Sequence, residues 1–209
     1  MKAHRRIFHS MRIGIYSGTF DPVHKGHIAF ALESIESAKL DKVYFAPEIK
    51  PRRKQQSSHI AHRLAMLNLA VRSYQKLSVL ELPDAFFTPL KTYGRLRAKF
   101  PEDEIILLVG EDLLENMHLW PHVDRLLPNI ELAVGLRKNH SKQSAQKLIA
   151  ALPAQPKKSF FIKSVHAPVS SMHIRDNLIA NKNSKDIVES VAKYAKEQWL
   201  YHDITKSKP

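Results

Sequence analysis

Short apolar runs, each separated from the next by a stretch of helical spacing, set the tightest limit on how this 209-residue chain folds. Ile13–Tyr16, Val43–Ala46, Leu77–Leu80, Ile105–Val109 and Ile130–Leu136 read as strands, and Phe160–Ile162 as a weaker one. Between the first two, Ile28, Ala31, Leu32 and Ile35 recur on one helical face; Leu64, Leu67, Ala70 and Val71 do the same after the second. Leu90–Lys99 reads as a helix despite Gly94, and the last forty residues are mostly helical in pattern. Alternation of this kind calls for parallel strands joined by right-handed crossovers. The expected fold class is α/β: a doubly wound parallel sheet with helices on both faces and a helical C-terminal end. Residues 11–203 are expected to form a single domain, with residues 1–10 a loose N-terminal extension and 204–209 a C-terminal tail. In such sheets ligands bind beyond the carboxyl ends of the strands, where the strand order reverses. Candidate functional residues are therefore sought after strands.

The formal net charge of +13 favours polyanions: nucleotides, nucleic acid or an anionic membrane. The positive charge is spread along the chain, and neither an RNP-like nor a helix-turn-helix signature accompanies it, so nucleic acid is not the expected partner. The absence of cysteine excludes disulfides, thiolate metal sites and a cysteine nucleophile, and fits a reducing, cytoplasmic setting. No apolar run approaches the roughly 20 residues that a membrane span needs.

The densest cluster of chemistry follows the first strand and opens the first helix: Ser17-Gly18-Thr19-Phe20-Asp21-Pro22-Val23-His24-Lys25-Gly26-His27. Gly18 permits a tight turn, and Pro22 suits the entry to a helix, where its missing N–H costs little. The helix N-terminus offers N–H groups and the positive end of a dipole to a phosphate. His24 and His27 are three residues apart and share one face, so both imidazoles can donate to the same phosphate oxygens. Thr19 adds a hydroxyl, and Gly26 leaves room for close approach. Two histidines without a third ligand nearby make a poor zinc site, and no metal-ligating residues are assigned.

A second cluster, Val169-Ser170-Ser171-Met172-His173-Ile174-Arg175, opens a later helix. Ser170 and Ser171 are good N-cap residues, and Arg175 lies about one turn on. Hydroxyls, helix N–H groups and a guanidinium converge there as a second oxyanion cradle.

The first string resembles the T/HxGH signature of the nucleotidyltransferase superfamily, whose adenylyltransferases share a Rossmann-like sheet; the second resembles its (I/V)SSxxxR motif. The related HIGH motif of class I aminoacyl-tRNA synthetases is the main confounder, but this chain is short for a synthetase and has no KMSKS-like loop. Further segments narrow the likeness to bacterial nicotinate-nucleotide adenylyltransferase. These are the basic loop from Pro47 to Lys54 followed by His62-Arg63-Leu64-Ala65-Met66-Leu67, the Gly110-Glu111-Asp112-Leu113 stretch with Trp120 and Leu126/Leu127, and the tail from Ile187 through Tyr194 to Leu200-Tyr201. The likeness runs from about residue 11 to about residue 201.

The resemblance implies transfer of AMP from ATP to nicotinate mononucleotide, with release of pyrophosphate. His24, His27 and Arg175 would act on the reacting phosphates. Ser17, Gly18, Thr19, Phe20, Gly26, Lys54, Gly110, Asp112, Ser170 and Ser171 would bind the nucleotide. Thr88, Thr92 and Trp120 would bind the acceptor, Trp120 by stacking near the nicotinate ring. Mg²⁺ would bridge phosphates, held by substrate oxygens and water. The expected partners are these small molecules, with no membrane and with homo-oligomer formation left open. The chain departs from the family at Pro51-Arg52-Arg53-Lys54, which keeps positive charge but loses a histidine, and at Thr88-Pro89-Leu90-Lys91-Thr92-Tyr93, where Lys91 replaces a common acidic residue. Ser17 stands for a common glycine. The alternatives are the same chemistry on nicotinamide mononucleotide or phosphopantetheine, and a non-catalytic nucleotide or nucleic-acid binding protein.

Overall fold

The computed structural model describes residues 10–51, 57–136, 141–163, 169–180, 182 and 184–202. Its strands are β1 (Arg12–Gly18), β2 (Lys42–Pro47), β3 (Leu77–Val79), β4 (Glu104–Gly110), β5 (Glu131–Leu136) and β6 (Ser159–Lys163). Its helices are α1 (Lys25–Ala38), α2 (Ile60–Val71), α3 (Lys91–Lys99), α4 (Glu111–Glu115), α5 (Val123–Leu126), α6 (Lys142–Ala150), α7 (Ser171–Ile179) and α8 (Glu189–Glu197). Single 3-10 turns occupy Met117–Leu119 and Leu127–Asn129.

The strands form one six-stranded sheet in the order β3-β2-β1-β4-β5-β6. Every pairing in it is parallel. The order reverses between β1 and β4, which pair directly, Ile13 opposite Ile105 and Ile15 opposite Leu107. A crevice is therefore expected beyond Gly18 and Gly110.

Side chains alternate across a strand, and the two cores follow that period. Val43, Phe45, Ile106, Leu108 and Ala133 point to one face, where Ile28, Ala31 and Ile35 of α1, Met66 and Leu67 of α2, Ile174 of α7 and Val191 of α8 cover them. Ile13, Ile15, Ile105, Leu107, Leu132 and Val134 point to the other, against Leu96 of α3, Leu114 of α4, Leu126 of α5, and Ala145 and Ile149 of α6. The doubly wound arrangement read from the sequence is thus the observed one. Helices α4, α5 and α6 were not anticipated: the first two are a single turn or little more, too short for periodicity to register. Gly94 is tolerated in α3 because it faces outward, with nothing within 4 Å of a side chain built there.

Candidate active site

Beyond β1 the backbone turns through Phe20, whose φ of 52° lies in the left-handed region that non-glycine residues avoid. That conformation costs on the order of 1 kcal/mol or more, and ring packing holds it. Phe20 meets Tyr16, His27 and Phe45 edge-on, with centroids 5.2, 5.1 and 5.3 Å apart. Its ring also lies over Gly18, where a Cβ would come within 3.0 Å of it. Gly18 is there to accept an aromatic ring. Burial raises the Tyr16 phenol far above its ordinary pKa, so this wall of the site stays neutral.

His24 is the N-cap of α1 and His27 its third residue. The His27 N–H donates to His24 Nδ1 at 3.3 Å, and the His24 N–H donates to His27 Nδ1 at 3.2 Å. The pair closes a reciprocal capping box built from imidazoles instead of the usual serine and glutamate. Their rings stack with centroids 3.6 Å apart and 19° between planes. With each Nδ1 accepting, the proton of each neutral ring belongs on Nε2. Two N–H donors therefore lie side by side. Three details of the sequence reading change. The His27 N–H serves the cap rather than a ligand. Pro22 lies in the turn before the N-cap, outside the helix. Gly26 makes room first for the His24 ring, whose Nδ1 would be 3.1 Å from a Cβ there.

The second cluster docks onto this loop. Ser170 caps α7, accepting from the Met172 N–H at 3.2 Å. The Ser171 hydroxyl donates to the Pro22 carbonyl at 3.1 Å, and Arg175 Nη1 donates to the Asp21 carbonyl at 2.7 Å. His24, His27, Thr19, Ser170, Ser171 and Arg175 are thus gathered on one loop–helix junction despite some 150 residues of separation.

Residues without an assigned role brace that junction. Arg63 is fully buried, and its guanidinium donates to the carbonyls of Thr19 (2.9 Å), Ile49 (3.1 Å) and Ser58 (2.9 Å). Burial lowers its pKa, while Asp21, Tyr201 and Glu48 act to raise it. The buried Asp21 carboxylate accepts from the Ser58 N–H at 2.9 Å and from the Tyr201 hydroxyl. A signal for Arg63 was available: it shares the apolar face of α2 with Met66, Leu67 and Ala70, a position that a solvated arginine would not occupy.

Ser17 lines a second, narrower cleft at the ends of β1 and β2, together with Pro47, Glu48, Asp84, Phe87 and Thr92. Ser17, assigned from sequence to the nucleotide, shares this cleft with the acceptor candidate Thr92. The Thr88 N–H donates to Thr92 Oγ1 at 2.9 Å and the Thr92 N–H to Thr88 Oγ1 at 3.3 Å, a reciprocal pair at the start of α3. The half-buried Trp120 ring lies 5.7 Å from that of Phe87, at the wall of the same region. Gly110 ends β4 and caps α4, with the exposed Asp112 in the first turn. Lys54, with Arg52 and Arg53, lies outside the described residues.

Paired imidazole donors and an arginine, set on two helix N-termini at the reversal of a parallel sheet, equip a protein to handle a polyphosphate; together they define the nucleotidyltransferase class. Residues 15–177 match the cytidylyltransferase-like family. Nicotinate-nucleotide adenylyltransferase of Bacillus subtilis (strain 168) is 31% identical over 201 residues, covering 91% of this chain and 98% of that protein. A Flavobacterium psychrophilum protein described as a probable nicotinate-nucleotide adenylyltransferase is 33% identical over 183 residues, covering 85% and 90%. The chain belongs to the nicotinate-nucleotide adenylyltransferase family. Its fold is also that of Plasmodium falciparum nicotinic acid mononucleotide adenylyltransferase complexed with NaAD, at a TM-score of 0.74 and 19% identity over 92% of this chain and 98% of that one.

Proposed function

We propose that the chain transfers AMP from ATP to nicotinate mononucleotide, giving nicotinate adenine dinucleotide and pyrophosphate. The observation that carries this reading is the stacked His24–His27 pair, each ring's Nδ1 used in the cap, on the loop whose Asp21 carbonyl Arg175 binds. A phosphate oxygen of the acceptor attacks the α-phosphorus of ATP. The bond from that phosphorus to the bridging oxygen breaks in line, and pyrophosphate leaves with its electron pair. Such chemistry asks the protein for position and charge stabilisation rather than a covalent intermediate.

In this scheme His24 and His27 donate to the transferring phosphate. Thr19 and the Gly18–Phe20 turn shape its bed. Arg175, Ser170 and Ser171 hold the β- and γ-phosphates: one Arg175 nitrogen fixes the Asp21 carbonyl, and the rest of its planar fork serves the nucleotide. Gly110 and Asp112, at the end of β4 and the start of α4, are assigned to the nucleoside part of ATP. Ser17, Thr88, Thr92 and Trp120 take the acceptor, and Lys54 adds positive charge. Mg²⁺ enters with the substrate in this reading, as MgATP, held by phosphate oxygens and water. Residues 11–203 act as one unit in this reading. No described helix is long and apolar enough to cross a membrane, and a cytoplasmic location is part of the proposal.

The test is pyrophosphate release with MgATP, comparing nicotinate and nicotinamide mononucleotides. Fast release with the nicotinate form alone is the expected result. Release with neither, by folded protein, would overturn the proposal.

A further inference from the structure

The loop between β3 and α3 folds over the ends of β1 and β2, and it carries a charge buried in an unusual place. The Asp84 side chain is 4% exposed and lines the same narrow cleft as Ser17, Glu48, Phe87 and Thr92. Two cations from α3 meet it: Lys91 Nζ at 3.8 Å from Oδ1, and Arg95 Nε at 3.2 Å from Oδ2 and 3.3 Å from Oδ1. Lys91 and Arg95 are four residues apart, so one helix face presents both to one carboxylate. Asp84 Oδ2 accepts no hydrogen bond, so its charge is met by the cations rather than by backbone or hydroxyl donors. The cations are far less buried, at 68% and 46% exposed.

The asymmetry has a consequence. An exposed ion pair contributes little because water serves each partner nearly as well. A carboxylate shut away from water has no such alternative, and losing its cation leaves an uncompensated buried charge. Asp84 therefore pulls α3 onto the loop. Thr92, which exchanges hydrogen bonds with Thr88, lies between the two cations on α3. Phe87 is tied separately, its N–H donating to Glu48 Oε1 at 3.2 Å, and its ring backs Trp120. Lys91, at first sight a loss of an acidic family residue, is one half of a local charge balance.

We propose that Asp84 is a positioning residue for the acceptor: clamped by Arg95 and Lys91, it sets where α3, and with it the Thr88–Thr92 pair, stands against the Phe87–Trp120 wall, and so fixes acceptor affinity without touching the ATP end. This rests on the reading of the cleft as the acceptor site.

The experiment is steady-state kinetics on the full chain, with KM measured separately for nicotinate mononucleotide and for ATP. Asp84→Asn and Arg95→Gln are each expected to raise the acceptor KM on the order of tenfold and to leave the ATP KM within about twofold. The double variant is expected to be no worse than the worse single, since the second change removes an interaction already lost. Arg95→Lys should recover most of the affinity by restoring the charge. Equal rises in both KM values, a fall in kcat alone, or additive effects in the double variant would overturn the proposal. Should Asp84→Asn fail to fold, the exposed Arg95 series carries the same test. Wild-type protein that releases no pyrophosphate with the nicotinate acceptor refutes the functional reading; active wild type with unchanged KM values in every variant refutes the role of Asp84 alone.

Discussion

The two ends of the crevice are held by different forces. At the phosphate end, backbone carbonyls are the anchoring points: Arg63 ties those of Thr19, Ile49 and Ser58, Arg175 that of Asp21, and Ser171 that of Pro22. At the end proposed for the acceptor, side chains are the anchoring points: Asp84 for Arg95 and Lys91, and Thr88 and Thr92 for each other's hydroxyl and N–H. Carbonyl anchoring is demanding on one side only. The donor must be a specific residue at a specific place, because a buried carbonyl that loses its donor is costly. Charge anchoring tolerates exchange of residue types so long as the local balance survives. On this reading Lys91 is accommodated at the start of α3 because Asp84 balances its charge.

The largest expected effect comes from His27→Ala, which removes one of the two proposed phosphate donors and half of the capping box. The specificity constant kcat/KM should fall by about 10²–10³-fold, while stability falls by only about 1 kcal/mol. A loss of stability without loss of rate would place the pair among structural caps. Next is Arg63→Met, which keeps the bulk and deletes the donors. With three carbonyls left unserved, a loss of about 3 kcal/mol in thermal or denaturant unfolding is expected; a loss below about 1 kcal/mol would erase the contrast between the two ends.

Tyr201→Phe is a smaller change, about 1–2 kcal/mol from a hydrogen bond to a carboxylate. It also has a pH signature. Burial, then the neighbouring Asp21 charge, raises the Tyr201 pKa above its ordinary 10.0. A phenol with a raised folded pKa contributes stability that is complete below about pH 10 and is lost as pH climbs from there toward the folded value. Unfolding midpoints should therefore fall more gently above about pH 10 in the variant than in wild type. Tyr16, shifted in the same direction, remains in both. The smallest effect is that of Lys91→Gln, below about 0.5 kcal/mol in melting experiments because the ammonium is largely solvated. A larger loss would mean that the acceptor end is as tightly held as the phosphate end.

Much of this was legible in the residues themselves. The short, β-branched apolar run Ile105–Val109 reads as a buried strand and the spacing of Ile28, Ala31 and Ile35 as one helical face, and their alternation along the chain pointed to the doubly wound sheet. The Ser17–His27 and Ser170–Arg175 strings marked two helix starts rich in hydroxyls and imidazoles, because capping acts locally, within one turn of chain. Partnerships across long separations were not legible. Nothing near Asp21 says that Tyr201 donates to it, or near Thr19 that Arg63 does. Those bonds exist only once the sheet has brought the ends of β1 and β2 under α2 and the C-terminal segment. The direction of each imidazole's proton, the place of Ser17 beside Thr92 and the charge balance around Asp84 depend on distances between atoms far apart in the chain. Packing decides such distances, and local pattern carries no record of them.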